Sequence, residues 1–192
     1  SSLQYQKERF SFLLNGFFNQ SPNYHQYMKM GDGYVPGSDW IEWGSGSTGW
    51  LYKYQMRGIE TEISGGELQL GYKGRAIDVT TEFSVVRGKD KTNNEYVGYM
   101  PADKINLLVS TKSDKDLSAS IRFTRVLDQN RLSEFETMTP GYSLVDIFGS
   151  YSFGSNSGSH RIVFQLNNLF DETYYNHLSK IKSIMPETGR SM

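Results

Sequence analysis

Polar and apolar residues alternate in short runs along most of the chain. The run over residues 77–85 is the clearest, because Ile77, Val79 and Phe83 alternate there with polar neighbours. Successive side chains of a β-strand point to opposite faces, so a period of two predicts a strand with one apolar and one polar face. The same pattern predicts a strand end at 3–5 and strands over 9–19, 50–72, 105–110, 117–124, 142–153 and 161–166. Gly65 and Gly66 lie inside one of these strands and predict a bulge there.

Segments rich in glycine, proline and charged residues separate the strands, and their lengths alternate. Consecutive strands of an up-and-down sheet run in opposite directions, so every second loop lies at the same end. One end therefore carries short turns and the other carries long loops, which is typical of outer-membrane β-barrels. The short turns cover 6–8, 73–76, 112–116 and 154–159, and the long loops cover 20–49, 88–103, 128–140 and 170–188.

Composition supports a β-rich protein with an extensive boundary between apolar and aqueous surroundings. The 192 residues suffice for one domain, yet only 37% are hydrophobic, while 14% are aromatic and 19 are glycine. The absence of cysteine excludes disulfides and a thiol nucleophile. A net charge of −1 without charged blocks argues against a nucleic-acid partner. No apolar run is long enough for a membrane helix, whereas the alternating strands suit a membrane barrel.

The segment around and after the last predicted strand carries a specific combination of residues. Its pieces, in order, are Asn167 to Asp171, Tyr174 with Tyr175, His177 to Ser179, Pro186, and Gly189 with Arg190. In order and spacing they resemble the penultimate strand, the last external loop and the start of the final strand of a TonB-dependent outer-membrane receptor. Similarity to the same family continues upstream, in residues 54–68, 83–88, 101–102 and 140–146.

The resemblance implies a fold and a function for the chain. Residues 1–192 would form a C-terminal portion of an antiparallel up-and-down transmembrane barrel of about 22 strands. About seven complete strands and two strand fragments would belong to this chain, whereas the plug domain and the last strand would lie outside it. The receptor would sit in the outer membrane of a Gram-negative bacterium and use energy from the TonB complex. Its ligand would be a ferric chelate, another metal complex, cobalamin or a sugar, and a surface lipoprotein would be a further partner.

Two other folds fit the same strand pattern. One is a self-contained eight-stranded outer-membrane barrel, acting as an adhesin or a membrane-embedded enzyme. The other is a soluble β-sandwich binding domain, in which a second sheet covers the apolar face. Closure of the sheet formed by residues 3–169 distinguishes these folds, because only a self-contained barrel pairs its first strand with its last within this chain.

Aromatic and imidazole side chains in the long loops are the candidates for ligand contact. Three tryptophans fall within residues 40–50, more than an interfacial girdle requires, and exposed aromatic residues are common recognition anchors. Imidazole suits Zn, Cu and Fe, but the three histidines do not fall at metal-ligand spacing. No resident metal site and no cofactor are therefore predicted. The candidate ligand contacts are Trp40, Trp43, His25 and His177.

Other polar and aromatic residues are assigned to the barrel wall. Tyrosines near strand ends predict an interfacial girdle, and charged residues on the polar face predict a polar lumen. No phosphate loop, nucleophile elbow or zinc-protease motif occurs, so an enzyme is not predicted. The predicted girdle consists of Tyr96, Tyr99, Tyr142, Tyr174 and Tyr175. The predicted lumen-facing residues are Glu67, Asp78, Glu82, Arg122 and Asp146.

Overall fold

A computed structural model describes residues 1–30, 40–42, 50–111, 116–134, 136–155 and 158–192, apart from the side chains of 40–42, 50–52, 155 and 158. None of the residues in these ranges forms a helix that is long and apolar enough to span a membrane. The described secondary structure consists of strands. In chain order they are β1 (Ser2–Lys7), β2 (Phe10–Lys29), β3 (Trp40–Glu42), β4 (Trp50–Tyr52), β5 (Tyr54–Lys73), β6 (Ile77–Asp90), β7 (Glu95–Tyr96), β8 (Lys104–Thr111), β9 (Leu117–Val126), β10 (Tyr142–Ser155) and β11 (Gly158–Leu166).

The main strands form one antiparallel sheet. Their order is β1-β2-β5-β6-β8-β9-β10-β11, with β7 paired to β6, and β3 with β4 forms a separate hairpin. Within the described residues β1 and β11 are the two edges, so the sheet does not close on itself. The prediction of an all-β, open antiparallel sheet is confirmed. The described strands therefore form neither a closed eight-stranded barrel nor a sandwich of two large sheets.

Strand register aligns apolar side chains on one face of the sheet. One row crosses seven strands through Phe10, Tyr72, Val79, Val109, Ile121, Ile147 and Leu166. None of these side chains is buried, and Phe10 and Ile121 are 62% and 51% exposed. Among the described residues, the buried apolar side chains are those of Ile59 and Val97. Within the described residues no protein core covers this face, so its apolar side chains remain accessible from outside the chain.

The opposite face carries polar side chains that bond across the strands. Gln69 Nε2 donates to Glu82 Oε1 at 3.0 Å, and Asn106 Nδ2 donates to Glu82 Oε2 at 3.4 Å. Thr124 Oγ1 donates in turn to Asn106 Oδ1 at 2.9 Å. Register places all the residues predicted to face the lumen on this polar face, namely Glu67, Asp78, Glu82, Arg122 and Asp146.

Strand β2 continues well beyond its predicted end. The sequence predicts a strand over 9–19 and a loop from residue 20, but pairing with β5 continues to Ser21, resumes with Tyr24 opposite Ile59 and extends to Lys29. Ser21 pairs with Thr61 and Tyr24 pairs with Ile59, so β2 advances three residues while β5 advances two. This bulge leaves an extra residue unpaired, so a proline without an N–H group is tolerated there. The bulge also reverses the alternation, so that Tyr24 lies on the same face as the odd-numbered residues before it.

Gly65 and Gly66 do not form the predicted bulge. The register of β2 with β5 runs without a shift from Phe10 to Ser21, which includes both glycines. A Cβ atom at Gly65 would lie 2.5 Å from Cε1 of Phe17. Glycine therefore makes room for an aromatic ring that lies across the neighbouring strand, which is the other common reason for glycine inside a strand.

The predicted alternation of loop lengths is confirmed. Short segments between the main strands cover 8–9, 74–76, 112–116 and 156–157, at what we call the short-turn end. At the opposite, long-loop end, the segments cover 30–53, 91–103, 127–141 and 167–192, and the first two contain β3, β4 and β7. Beyond β11 the chain returns to the sheet, where Ser191 forms an antiparallel bridge with Asn167.

Two neighbouring leucines of β8 allow the apolar face to be tested. Leu107 pairs with Phe123 on the apolar face, and Leu108 pairs with Arg122 on the polar face. We expect Leu107→Lys to destabilise the protein in lipid by about 2–4 kcal/mol, the cost of an ammonium group on the lipid face of a barrel. Leu108→Lys should cost clearly less. Denaturant unfolding in lipid vesicles measures both values, and equal losses would contradict a lipid-facing role for the Leu107 face.

Candidate functional site

Three segments at the long-loop end pack into one unit, which we call the loop cluster: residues 91–103, 127–134 with 136–141, and 167–190. Its interior is mainly polar, and Gln129, Ser133, Thr139 and His177 are at most 6% exposed. The buried apolar residue Val97 belongs to the same unit. Buried polar groups are stable only when they are hydrogen-bonded, so the bonding inside the cluster decides whether its loops hold their conformation.

A network of Glu136, Thr139, His177 and Lys182, which we call the His177 network, joins two of these segments. The Lys182 ammonium donates to Thr137 O at 2.6 Å, to Thr139 Oγ1 at 2.7 Å and to His177 Nδ1 at 3.2 Å. An ammonium group only donates, so His177 Nδ1 is the acceptor and carries no proton. His177 Nε2 therefore carries the proton and donates to Glu136 Oε1 at 2.9 Å.

The Glu136 carboxylate also caps backbone groups of two segments. Its Oε1 accepts from the N–H of Tyr99 at 2.7 Å, and its Oε2 accepts from the N–H and the hydroxyl of Ser133, each at 3.0 Å. Burial raises the pKa of Glu136, but the hydrogen bonds from Ser133 and Tyr99 leave this pKa below its usual value. The carboxylate is therefore ionised at neutral pH and holds the three segments together.

The buried Gln129 amide forms a second connection. Its Nε2 donates to the carbonyls of Met100 at 2.8 Å and Pro101 at 3.1 Å, and its Oε1 accepts from the Arg131 N–H at 3.3 Å. The Gln129 backbone forms an antiparallel bridge with Thr139. One fully buried side chain thus joins segment 91–103 to segment 127–141.

An ion-pair group attaches the cluster to the sheet. Asp103 immediately precedes β8, and its carboxylate accepts from two arginines. Arg87 of β6 donates from Nη2 to Asp103 Oδ2 at 2.7 Å, and Arg131 donates from Nη2 to Asp103 Oδ1 at 3.2 Å. The Arg87 hydrogen bond lowers the pKa of Asp103, against the opposing effect of burial. A carboxylate shared by two guanidinium groups remains ionised and connects β6, β8 and the loop 127–141.

The Asn167 to Asp171 motif builds the turn that leaves β11. Asn168 and Asp171 have φ values of 50° and 57°, a conformation that Asn and Asp tolerate better than most residues. Asp146 Oδ1 accepts from the Asn168 N–H at 2.9 Å, and Asp171 Oδ1 accepts from the Arg190 N–H at 2.8 Å. The motif that carries the family resemblance therefore directs the last loop over the polar face.

The predicted girdle tyrosines separate into different environments. Tyr142 pairs with Val126 on the polar face, and its ring centroid lies 4.4 Å from that of Tyr174. Both rings line a cavity with Arg122 and Asp146, so the structure places them on the polar side, not in a girdle. The sequence pattern did not predict this position, because Tyr142 is the first residue of its strand and a side chain there can point to either face of the sheet. Tyr96 and Tyr99 are about half-exposed in segment 91–103, Tyr175 is partly buried, and their membership of a girdle stays a prediction.

The predicted ligand contacts also separate. Trp43 lies outside the described residues, and Trp40 is described only as the first residue of β3. His177 is buried in its network, and both of its ring nitrogens are bonded within the protein. His25 lines a cavity of about 540 Å³ between the extended β2–β5 hairpin and the loop cluster. No group of three potential metal-ligating side chains occurs in the described part of the chain.

Sequence reasoning did not identify Gln129, Glu136, Thr139 and Lys182. They are isolated polar residues in loops, and nothing in their spacing distinguishes them from solvated loop residues. The available signal was His177, which belongs to the combination of residues that carries the family resemblance in the last loop. Their common role depends on contacts between segments about 40 residues apart, such as Glu136 with His177, at a separation of 41.

Comparison with known sequences finds relatives that are named for heme and hemopexin utilization. No family model matches the chain. Over 143 residues it is 30% identical to the heme/hemopexin utilization protein C of Haemophilus influenzae, covering 72% of this chain and 19% of that relative. The same protein from a second strain is 30% identical over 132 residues, covering 67% of this chain and 18% of the relative. The chain thus spans about a fifth of the length of the curated relatives that it matches.

Solved structures share the fold over 98% of this chain. The copper transporter OprC matches with a TM-score of 0.79 and 19% identity, and the alignment covers 28% of that chain. The FrpB iron transporter from Neisseria meningitidis matches with a TM-score of 0.62 and 13% identity, over 29% of its chain. A mutant of the ferric enterobactin receptor PfeA from Pseudomonas aeruginosa matches with a TM-score of 0.66 and 17% identity, over 29% of its chain. The predicted resemblance to TonB-dependent receptors is confirmed, and the chain has the fold of a segment of their barrel wall.

The His177 network should weaken in acid. Burial and the Lys182 charge lower the pKa of His177 below its usual 6.5, although Glu136 opposes them. The folded loops therefore bind fewer protons than the unfolded loops, and this contribution to stability is complete above pH 6.5 and is lost as the pH falls below it. We expect limited proteolysis of segments 127–141 and 167–190 to accelerate between neutral pH and about pH 5. His177→Gln should remove this acceleration, whereas His160→Gln should preserve it.

Gln129→Leu should loosen the loop cluster. The substitution leaves the carbonyls of Met100 and Pro101 and the Arg131 N–H without their partner, and an unpaired buried group costs about 1–3 kcal/mol. We expect faster amide hydrogen exchange in segments 91–103 and 127–141. Gln165→Leu, in which an exposed amide loses one bond to Asn167, is the matched control. Equal exchange in both variants would contradict this role of Gln129.

Proposed function

We propose that this chain forms barrel wall and external loops of an outer-membrane receptor that captures a scarce metal complex and imports it with TonB-derived energy. The observation that carries this proposal is the two-faced open sheet, with an uncovered apolar row on one face and a hydrogen-bonded polar row on the other. Outer-membrane lipid would cover the apolar face. The long-loop end would then face the outside of a Gram-negative cell.

The names of the similar proteins favour a metal-containing ligand. The sequence relatives are named for haem and hemopexin utilization, and the structural neighbours are named for copper, iron and ferric enterobactin. These neighbours are transporters and receptors, which supports a non-enzymatic role. A ferric chelate, with haem as the first candidate, is therefore the ligand that we propose.

The polar face would provide the wall of the passage. The bonded row from Gln69 through Glu82 and Asn106 to Thr124 offers donors and acceptors to water and to a plug domain of the same receptor. Residues 1–192 would be a C-terminal portion of this barrel, and the plug would be supplied from outside them. The TonB complex would move the plug, and a surface lipoprotein would assist capture.

Uptake by the full-length receptor tests this function. A strain lacking its own receptors for these complexes and expressing the full-length protein should import ferric protoporphyrin IX or a ferric tricatecholate only when TonB is intact. Copper(II), cobalamin and maltodextrin serve as competing cargoes. TonB-independent accumulation, or import of cobalamin or sugar alone, would contradict the proposal, because it predicts energised import of a metal complex.

A further inference from the structure

We infer that two adjacent turns at the short-turn end of the sheet bind the headgroup of an anionic glycerophospholipid, of the kind represented by phosphatidylglycerol. This inference rests on the proposed function, in which the short-turn end faces the periplasmic side of the outer membrane. The two turns join β1 to β2 and β5 to β6. With the strand residues that flank them they cover residues 7–9 and 73–76, which we call the basic turn pair, and their cationic residues are Lys7, Arg9, Lys73 and Arg75.

Strand pairing holds the two turns side by side. β2 pairs with β5 so that Phe10 lies opposite Tyr72, and the Lys73 N–H donates to Arg9 O at 2.8 Å. On the other side of β2, Lys7 of β1 lies opposite Phe10. The cationic residues therefore come from turns that share the backbone bonds of neighbouring strands, so the sheet itself fixes their spacing.

The positive charge of the basic turn pair is not neutralised by other described residues. Its four cationic residues are exposed, and none of them forms an ion pair with a described carboxylate. Glu8 is the one acidic residue among residues 7–9 and 73–76, so four cations and one carboxylate leave a net charge of +3. At the long-loop end, by contrast, Arg87 and Arg131 share the Asp103 carboxylate. The short-turn end therefore presents cations that remain available for an external anion.

Exposed aromatic rings border the basic turn pair on the apolar face. Phe10 and Tyr72, whose ring centroids lie 5.1 Å apart, belong to the same row across the strands as Lys7. Tyr5 lies two residues before Lys7 on this face, and it is also exposed. Such rings favour the boundary between acyl chains and headgroups, and a lysine beside them extends its ammonium group towards the headgroups. A phospholipid supplies both an acyl chain for the rings and a phosphate for the cations.

The charge of the basic turn pair selects among headgroups. Phosphatidylglycerol presents a phosphodiester without a cation, whereas phosphatidylethanolamine carries an ammonium group that the four cations repel. Arginine binds phosphate oxygens through two parallel N–H groups, and lysine acts as a point charge. Each lysine or arginine near a membrane surface strengthens binding to anionic lipid about fivefold. Lipopolysaccharide also carries phosphate, but it occupies the leaflet at the opposite end of the sheet.

Native mass spectrometry of the full-length receptor in a neutral detergent tests this site. The probes are phosphatidylglycerol, phosphatidylethanolamine and lipid A. We expect the double variant Lys7→Gln with Arg75→Gln to weaken phosphatidylglycerol binding by roughly tenfold or more, because it removes two charges worth about fivefold each. Binding of phosphatidylethanolamine should not change. The matched control is Lys89→Gln with Lys180→Gln, which removes the same charge from exposed residues at the long-loop end and should bind phosphatidylglycerol as the unmodified protein does.

Each outcome of this experiment has a defined meaning. Loss of phosphatidylglycerol affinity in the site variant alone supports the inference. Equal affinity for phosphatidylglycerol and phosphatidylethanolamine, or equal losses in the site variant and the control, overturns it and assigns the cations to a solvated edge. A loss in the site variant that affects lipid A alone also overturns it. None of these results bears on import, so the proposed function stands or fails by the uptake experiment.

A labelling measurement on the unmodified receptor avoids the risk that a variant does not fold. Lys7 and Lys73 are exposed, so an amine-reactive acylating reagent should modify both in phosphatidylcholine nanodiscs. Lys89 is exposed on the apolar face at the long-loop end and reports the general effect of membrane charge. We expect added phosphatidylglycerol to slow acylation of Lys7 and Lys73 by about threefold or more relative to Lys89. Equal slowing at all three lysines would overturn the inference.

Discussion

The alternation of side chains across a β-strand is the constraint on which the rest of this molecule depends. It gives the sheet one face of Phe, Tyr, Val, Ile and Leu and one face of hydrogen-bonded amides, hydroxyls and carboxylates. A sheet with this division cannot form an ordinary protein core, because its apolar face has no partner within the described residues. Lipid on one side and water on the other satisfy both faces simultaneously. The open edges at β1 and β11 are compatible with a larger closed barrel, since closure removes exposed edges.

The loops at the long-loop end are stabilised differently. They cannot bury much apolar surface, since Ile59 and Val97 are the buried apolar residues of the described chain. Instead they bury Gln129, Thr139 and His177 with their hydrogen bonds satisfied. Such networks are sensitive to the loss of any member, because the remaining partners stay buried without a bond. The same sensitivity gives the cluster a defined conformation, which a set of independently solvated loops would lack.

Sequence reasoning recovered what depends on local periodicity. The strands, the two faces and the alternation of loop lengths all follow from a period of two and from turn residues. It failed where a distant contact decides the outcome. A loop was predicted from residue 20, but β5 continues to pair with β2 beyond a bulge next to Pro22. Gly65 suggested a bulge, but the Phe17 ring across the strand explains it. Tyr142 and His177 were assigned to a girdle and to a ligand, and their contacts with Tyr174 and Glu136 could not be deduced from spacing.

The bulge and the His177 network are connected through the cavity that lies between them. The bulge orients Tyr24, and Glu136 positions Tyr99 through its backbone N–H. Protonation of His177 would place a second N–H group against the Lys182 ammonium, which only donates, and would disrupt the bond at Nδ1. Glu136 holds Tyr99 in its left-handed conformation by accepting from the Tyr99 N–H, and its bond from the His177 Nε2–H would persist on protonation. The geometry of the cavity therefore depends on Glu136, a residue that does not line it.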